Sequence, residues 1–290
     1  MKAQFFHIKP KIGLALGGGG PKGLAHIGVI KSLVKNGFNI DYIAGTSIGA
    51  VIGACYALRK DITSVENYVL EKNRWEMLKL LIDPSLKEGV LQGNRMRHMI
   101  EQFLGYDTQF HDLSIPFCAV AVDMRKSQKI ALRSGNIVQA TLASCAVPVV
   151  YNPVKTDGQL LADGGLISPV PVDTVKKMGA DIVIAVNLYK LPSPDDSDKK
   201  LGLVTLGART ISIMMNTIAS YETLAADLVV TPAVDFISWT SLLREDQKVS
   251  GIKNGEEAMD EKITLLKKLY TKKASFLPLW ISRMSRLFGL

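Results

Sequence analysis

The segment Gly45-Thr46-Ser47-Ile48-Gly49 holds a serine flanked at two-residue spacing by Gly45 and Gly49. A sharp strand-to-helix turn demands that spacing, because a Cβ at either flanking position collides with neighbouring backbone. Such an elbow exposes the Ser47 hydroxyl at the start of the next helix, which makes Ser47 the candidate nucleophile. A serine hydroxyl is weakly nucleophilic at neutral pH and needs a base, usually histidine. The order serine, acid, histidine fails here, since His7, His26, His98 and His111 all precede the best placed acid, Asp163. His26, one turn into the helix after a glycine loop, reads as a packing or hydrogen-bonding residue. An aspartate serves as base where its pocket excludes water and raises its pKa. Asp163, between Leu160-Leu161-Ala162 and Gly164-Gly165, fits that requirement, although by residue type alone it fits an Asp-Gly turn as well.

A third motif, Gly17-Gly18-Gly19-Gly20-Pro21-Lys22-Gly23, lies between a strand pattern and a helix pattern. Glycines there let several N–H groups point into one concavity beside the positive end of the helix dipole, so the loop should bind negative charge. Gly18, Gly20 and Gly23 also satisfy the dinucleotide fingerprint. That reading needs an acid at the end of the second strand to hold a ribose, and Asp41 stands at that strand's start instead. The phosphate-loop pattern fails because no Gly-Lys-Ser/Thr follows.

These motifs need a frame, and the chain alternates β-rich runs with helical patterns as parallel sheets covered by helices do. Strands are expected at Ile12–Leu16, Tyr42–Ala44, Ile115–Val122, Ile182–Asn187 and Leu228–Thr231. A helix is expected over Leu24–Asn36 with Gly37 as its cap, and a second, apolar on every face and therefore buried, over Ile48–Leu58. From Asp61 to Asp112 the pattern is helical and richer in charge, with Trp75, Met77, Leu78, Leu80 and Leu81 clustered before Pro84, as a cap over a site would be. Leu191–Lys200 is polar with two prolines and reads as an exposed loop or link. The methionine-containing helix pattern Ile211–Ala219 reads as core or subunit contact.

With 290 residues, 47% of them hydrophobic, the chain has material for a sizeable core, which excludes disorder. The uncharged apolar stretch Ile43–Leu58 is interrupted by Gly45, Gly49 and Gly53 and is too short to span a bilayer. Met1–Pro10 has no apolar signal core. Cys55, Cys118 and Cys145 lack metal or redox spacing and read as buried thiols in a reducing cytoplasm. The net charge of +8 is nearly all carried by Lys262–Leu290, which holds seven bases and no acid. On a helix, Trp280, Ile281, Met284, Leu287 and Phe288 fall opposite Arg283 and Arg286, the pattern of an interfacial membrane helix or of a helix docked on the body with a solvated basic face.

The three motifs in this order resemble the patatin-like phospholipases, which use a Ser-Asp dyad. Supporting pieces are Leu14-Ala15-Leu16-Gly17, Leu24-Ala25-His26-Ile27-Gly28-Val29 and Ala143-Ser144-Cys145-Ala146-Val147-Pro148. The resemblance runs from about Lys11 to Asn187, resumes at Ala226–Pro232, and looks closest to small bacterial members. Gly17 stands where plant members have aspartate, and Lys22 where arginine is common, which keeps the charge but loses a planar donor. The resemblance implies a three-layer α/β/α sandwich with a mainly parallel sheet over residues 11–260, followed by a basic tail over 261–290. It implies Ser47 as nucleophile, Asp163 as base, and Gly18, Gly19 and Gly20 as oxyanion hole, with Lys22 reinforcing the hole or meeting a lipid phosphate. The expected function is a serine acyl hydrolase acting on lipid acyl esters through an acyl-enzyme, in the cytoplasm and peripherally at the inner membrane face. No metal, cofactor or nucleic acid is expected. The alternatives are a catalytically silent lipid-binding or regulatory protein on the same fold and a dinucleotide-binding oxidoreductase.

Overall fold

The computed structural model describes residues 9–72, 75–76, 86–87, 90–91, 93–148, 150–156, 158–189 and 203–288, with backbone alone at 86–87, 90–91, 203–205, 208, 239 and 275–288. The first half contains β1 (Ile12–Leu16), α1 (Leu24–Lys35), β2 (Tyr42–Thr46), α2 (Ile48–Arg59), α3 (Ile62–Glu71), a two-residue pair β3 (Leu86–Lys87) and β4 (Val90–Leu91), and α4 (Asn94–Leu104). Next come β5 (Phe117–Asp123), β6 (Gln128–Leu132), α5 (Ile137–Ser144), β7 (Val154–Thr156) and β8 (Gln159–Asp163). The chain then forms α6 (Val172–Lys177), β9 (Ile182–Val186), α7 (Leu203–Thr223), β10 (Leu228–Val230) and α8 (Glu245–Phe288).

Strands β10, β9, β1, β2 and β5 lie side by side in that order and all run parallel. Beyond them β6, β8 and β7 are antiparallel additions. Alternate side chains of each parallel strand enter two cores, as period-two geometry requires. Ile12, Leu14, Leu16, Ile43, Ile182 and Ile184 face the larger one under α1, α2, α5 and α8. Ala15, Ala44, Cys118, Val183 and Ala185 face a smaller one under α6 and α7. The expected mainly parallel α/β/α sandwich is the observed architecture.

Several details differ from the sequence reading. β6 and β7 carry half-exposed, partly polar residues with no clean alternation, and pairing to β5 and β8 rather than local pattern makes them strands. In the expected cap, α3 and α4 are present and Trp75 is helical and 71% exposed, while Met77, Leu78, Leu80, Leu81 and Pro84 lie outside the described residues, as does Leu191–Lys200. The core reading of Ile211–Ala219 is corrected: Ala219 is buried, but Ile213 and Met214 are exposed, because α7 covers the face of small residues with one edge only. Helix α8 passes unbroken through residue 260, and Ile263 and Leu266 beyond it are buried in the larger core. Lys273 binds Asp227 at 3.0 Å, so α8 is docked on the body to that point, and the side chains of the amphipathic segment after it lie outside the described residues. Among the described residues no helix is long and apolar enough to cross a membrane.

α8 also fixes the position of the helices around the site. A Cβ on Gly28 of α1 would lie 1.9 Å from the Ile252 carbonyl oxygen, and one on Gly255 of α8 2.0 Å from the Ala25 carbonyl oxygen. The two helices therefore cross backbone to backbone, at glycines. One turn into α8, buried Lys248 donates from Nζ to the carbonyls of Val69 and Lys72, both at 2.9 Å, capping the C-terminus of α3 with a positive charge. Gly28→Ala or Gly255→Ala is expected to destabilise by about 2 kcal/mol or more, the scale of overpacking against rigid backbone. A thermal melt should show a midpoint several degrees lower for either variant, and an unchanged midpoint would contradict the close crossing.

Candidate active site

Strand β2 ends at Thr46, and Ser47 turns the chain into α2 with φ 54° and ψ −126°, a left-handed conformation uncommon for a residue with a side chain. The turn is possible because both flanking positions lack a Cβ. On Gly45 a Cβ would stand 2.4 Å from the Gly49 carbonyl oxygen, and on Gly49 2.2 Å from the Leu16 carbonyl oxygen. The strained residue is held by Ser144, the last residue of α5. Its fully buried hydroxyl accepts from the Ser47 amide at 2.9 Å and donates to the Val120 carbonyl at 2.6 Å. Ser47 itself is half-buried at the N-cap of α2, where the helix dipole favours developing negative charge.

Sheet register brings the acid to it. β2 pairs with β5 as far as Thr46↔Val120, and β8 pairs with β5 from Asp163↔Ala121. β6 occupies the opposite edge of β5 at both levels, so β2 and β8 share one edge and their carboxyl ends meet head-on. Ser47 and Asp163 are thereby placed together from positions far apart in the chain. Asp163 is 2% exposed. Burial pushes its pKa up to about 6, while the Ser47 hydroxyl and the Gly165 amide, which donates to Oδ1 at 2.7 Å, both favour the carboxylate and hold the rise back. Cys145 lies beside the pair, and burial keeps it a neutral thiol.

The glycine loop completes the floor. The Gly18 amide donates to the Pro169 carbonyl at 3.0 Å, so it is engaged in holding the loop and unavailable to an oxyanion. Gly19 (φ 145°) and Gly20 (φ 56°) adopt conformations that favour glycine, and among the described residues no acceptor takes their amides. Lys22 lines the cavity with its Nζ 3.6 Å from Asp235 Oδ1, and so faces a carboxylate within the protein. His26 is buried, and burial lowers its pKa to about 4. The neutral ring donates from Nε2 to the Gly17 carbonyl at 2.7 Å, which makes it a brace for the loop, as its sequence position suggested. Asp41 accepts from the Ile12 amide at 2.7 Å at the amino end of β1, the opposite end of the sheet from the loop, as the sequence argument against a dinucleotide site required.

Two supports had no signal in the sequence. Glu222 on α7 accepts from the Ser168 hydroxyl and, at 2.8 Å, from the Val170 amide, and Thr46 donates to the Ser168 carbonyl at 2.8 Å. The segment after Asp163 is thus tied to the elbow and, through Pro169, to the glycine loop. Above the floor opens a cavity of about 490 Å³, walled by apolar side chains of α2, α3 and α4, among them Ile52, Val69 and Phe103, and reaching Ser47, Asp163, Gly19 and Gly20. The geometry joins a candidate nucleophile, a candidate base and two free backbone donors at the end of an apolar chamber.

A family model described as Patatin-like phospholipase matches residues 14–176, more than half of the chain. The chain belongs to the patatin-like phospholipase family. Among its curated relatives are an uncharacterized NTE family protein of Mycobacterium tuberculosis, 37% identical over 180 residues that cover 62% of this chain and 49% of the relative. A lysophospholipase nte1 of Aspergillus fumigatus is 33% identical over 61% of this chain and 12% of the relative. Mouse patatin-like phospholipase domain-containing protein 6 is 34% identical over 64% of this chain and 14% of the relative. The match spans about half of the mycobacterial relative and a small part of the others. Among solved structures, VipD from Legionella pneumophila has the same fold, with a TM-score of 0.52 at 15% identity over 91% of this chain and 67% of that one.

In this patatin-like site the buried Asp163 has a consequence for stability. Its folded-state pKa lies above the ordinary 3.8, so the folded protein binds the proton more tightly than the unfolded chain, and stability declines as pH rises from about 4 through about 6. Asparagine removes that penalty. Asp163→Asn is expected to melt at a higher temperature than wild type near neutral pH, with the difference narrowing as pH falls towards the ordinary carboxylate range. A variant less stable than wild type at neutral pH would contradict an ionised, desolvated carboxylate.

Proposed function

We propose that this protein is a serine acyl hydrolase that releases fatty acid from lipid acyl esters through a Ser47–Asp163 dyad. The observation that carries the proposal is the half-buried Ser47 in its strained elbow beside the desolvated Asp163, at the floor of an apolar cavity. In the first step the Asp163 carboxylate takes the Ser47 proton as Oγ attacks the ester carbonyl carbon. The amides of Gly19 and Gly20 hold the oxyanion, preorganised by the loop, and Lys22 adds positive potential at a distance set by its Asp235 contact. Protonated Asp163 returns the proton to the leaving oxygen. Water then attacks the acyl-enzyme, giving the fatty acid and free Ser47.

Membership in the patatin-like phospholipase family and a relative named as a lysophospholipase support a lipid ester substrate. The cavity's apolar walls suit an acyl chain, which supports our reading of a phospholipase A or lysophospholipase-like activity. Buried free cysteines suit the cytoplasm, and the basic segment 261–290 suits peripheral attachment to the anionic inner membrane face, as a tail to the hydrolase body of residues 11–260.

Hydrolysis of a lysophospholipid and of a short chromogenic ester by wild type, Ser47→Ala and Asp163→Asn tests the dyad. Both folded variants are expected to lose on the order of 10³ or more in kcat. Wild-type kcat/KM should rise with pH through about 6 and then level, because the base works as the carboxylate. Full activity in either variant would overturn the assignment, and a silent wild type would favour the lipid-binding alternative. Removing residues 276–290 should abolish sedimentation with anionic vesicles, and undiminished sedimentation would overturn the membrane role of the tail.

A further inference from the structure

Tyr189 follows β9, and its amide is fixed by Asn187 Oδ1 at 2.9 Å. Its hydroxyl is buried and has no hydrogen-bond partner among the described residues. A Cβ on Gly18 would lie 2.5 Å from this oxygen and 3.4 Å from the Ser47 Cβ. A Cβ on Gly165 would lie 3.3 Å from the same oxygen and 3.0 Å from Asp163 Oδ1. The phenol therefore stands between the two glycines that border the nucleophile and the base, and it lines the cavity they share. Burial, followed by the charges of Asp163 and Glu222, raises its pKa well above that of an ordinary phenol, so it stays a neutral donor. An unpartnered buried hydroxyl is destabilising by about 1–3 kcal/mol, and such groups are rare unless something else uses them.

We infer that Tyr189 is a catalytic residue of the second half-reaction, donating a hydrogen bond to the water that deacylates Ser47. The inference rests on the hydrolase reading above. In the first half-reaction the nucleophile is covalently fixed by the elbow and needs no further orientation. In the second, a free water must be aimed, and the base supplies only an acceptor, with Oδ1 already engaged by the Gly165 amide. A water that donates one proton to Asp163 and accepts from the Tyr189 hydroxyl keeps one lone pair for attack. Its oxygen bonds to the acyl carbon, its proton passes to Asp163, the bond from carbon to Ser47 Oγ breaks, and Asp163 returns the proton to Oγ. The fatty acid leaves, and the phenol neither gains nor loses a proton.

Tyr189→Phe removes one oxygen and keeps the ring, and its fold is checked by circular dichroism and thermal melting. The assay is stopped-flow hydrolysis of a p-nitrophenyl ester, whose good leaving group speeds acylation relative to deacylation and is expected to make deacylation the slower step. The expected result is a kcat lowered about tenfold or more, the equivalent of one lost hydrogen bond. KM should fall in proportion, kcat/KM should stay unchanged, the nitrophenol burst should keep full amplitude, and acyl-Ser47 should accumulate in the intact mass spectrum. Unchanged kinetics, or a fall in kcat/KM without acyl-enzyme accumulation, would overturn the inference. Ester hydrolysis that survives in Ser47→Ala, or a wild type with no hydrolysis, would instead overturn the Ser47 hydrolase reading on which it rests.

Discussion

Two strands compete for one edge of β5, and the site follows from how they share it. β2 arrives parallel and stops opposite Val120, while β8 arrives antiparallel and stops opposite Ala121. Backbone must turn away from both ends within one residue, and that crowding dictates side-chain size. A Cβ on Gly164 would lie 2.2 Å from the Val120 carbonyl oxygen, matching the collisions that Gly45 and Gly49 avoid on the other strand. Overpacking against backbone cannot relax by a rotamer change, so these positions admit glycine and little else. The Ser144 hydroxyl bridges the seam by binding both the Ser47 amide and the Val120 carbonyl. Without it the Ser47 amide would lose its partner in the strained turn, a loss of about 1 kcal/mol.

The same seam determines the electrostatics. Asp163 sits where water is excluded, and the two donors within reach, the Ser47 hydroxyl and the Gly165 amide, restrain its pKa to about 6. With its pKa restrained to about 6, the carboxyl is ionised near neutral pH and competent as a base. Full desolvation without those donors would leave it protonated and inert. The neighbours stay neutral: His26 with its pKa lowered to about 4, and Cys145 and Tyr189 with theirs raised. The carboxylate thus shares the floor with the Gly19 and Gly20 amides, which have no other acceptor among the described residues.

Much of this was legible in the sequence because it is local. The glycine spacing around Ser47, the glycine run before α1 and the Asp-Gly-Gly turn each encode a backbone constraint within seven residues, and the parallel strands announce themselves as apolar runs. The head-on meeting of β2 and β8 was not legible, since the antiparallel pairing of β8 with β5 joins residues distant in the chain and leaves no local pattern. Ser144 lay inside a recognised segment, but its bridging role depends on Val120, 24 residues away. Glu222 and Tyr189 follow apolar helix and strand patterns with no motif, and only three-dimensional packing turns them towards the floor. Of the reading of Ile211–Ala219 as core or subunit contact, the core part failed because methionine and isoleucine at helical spacing mark an apolar face without saying whether the same chain covers it.

The central claim is that a desolvated Asp163 activates Ser47. Covalent labelling by an alkyl fluorophosphonate, followed by intact mass and peptide mass spectrometry, reads that activation without a choice of substrate. The account predicts a single adduct on Ser47, a labelling rate that rises with pH through about 6, and labelling slowed by orders of magnitude in Asp163→Asn. An adduct on another residue, or equal labelling rates in wild type and Asp163→Asn, would contradict it.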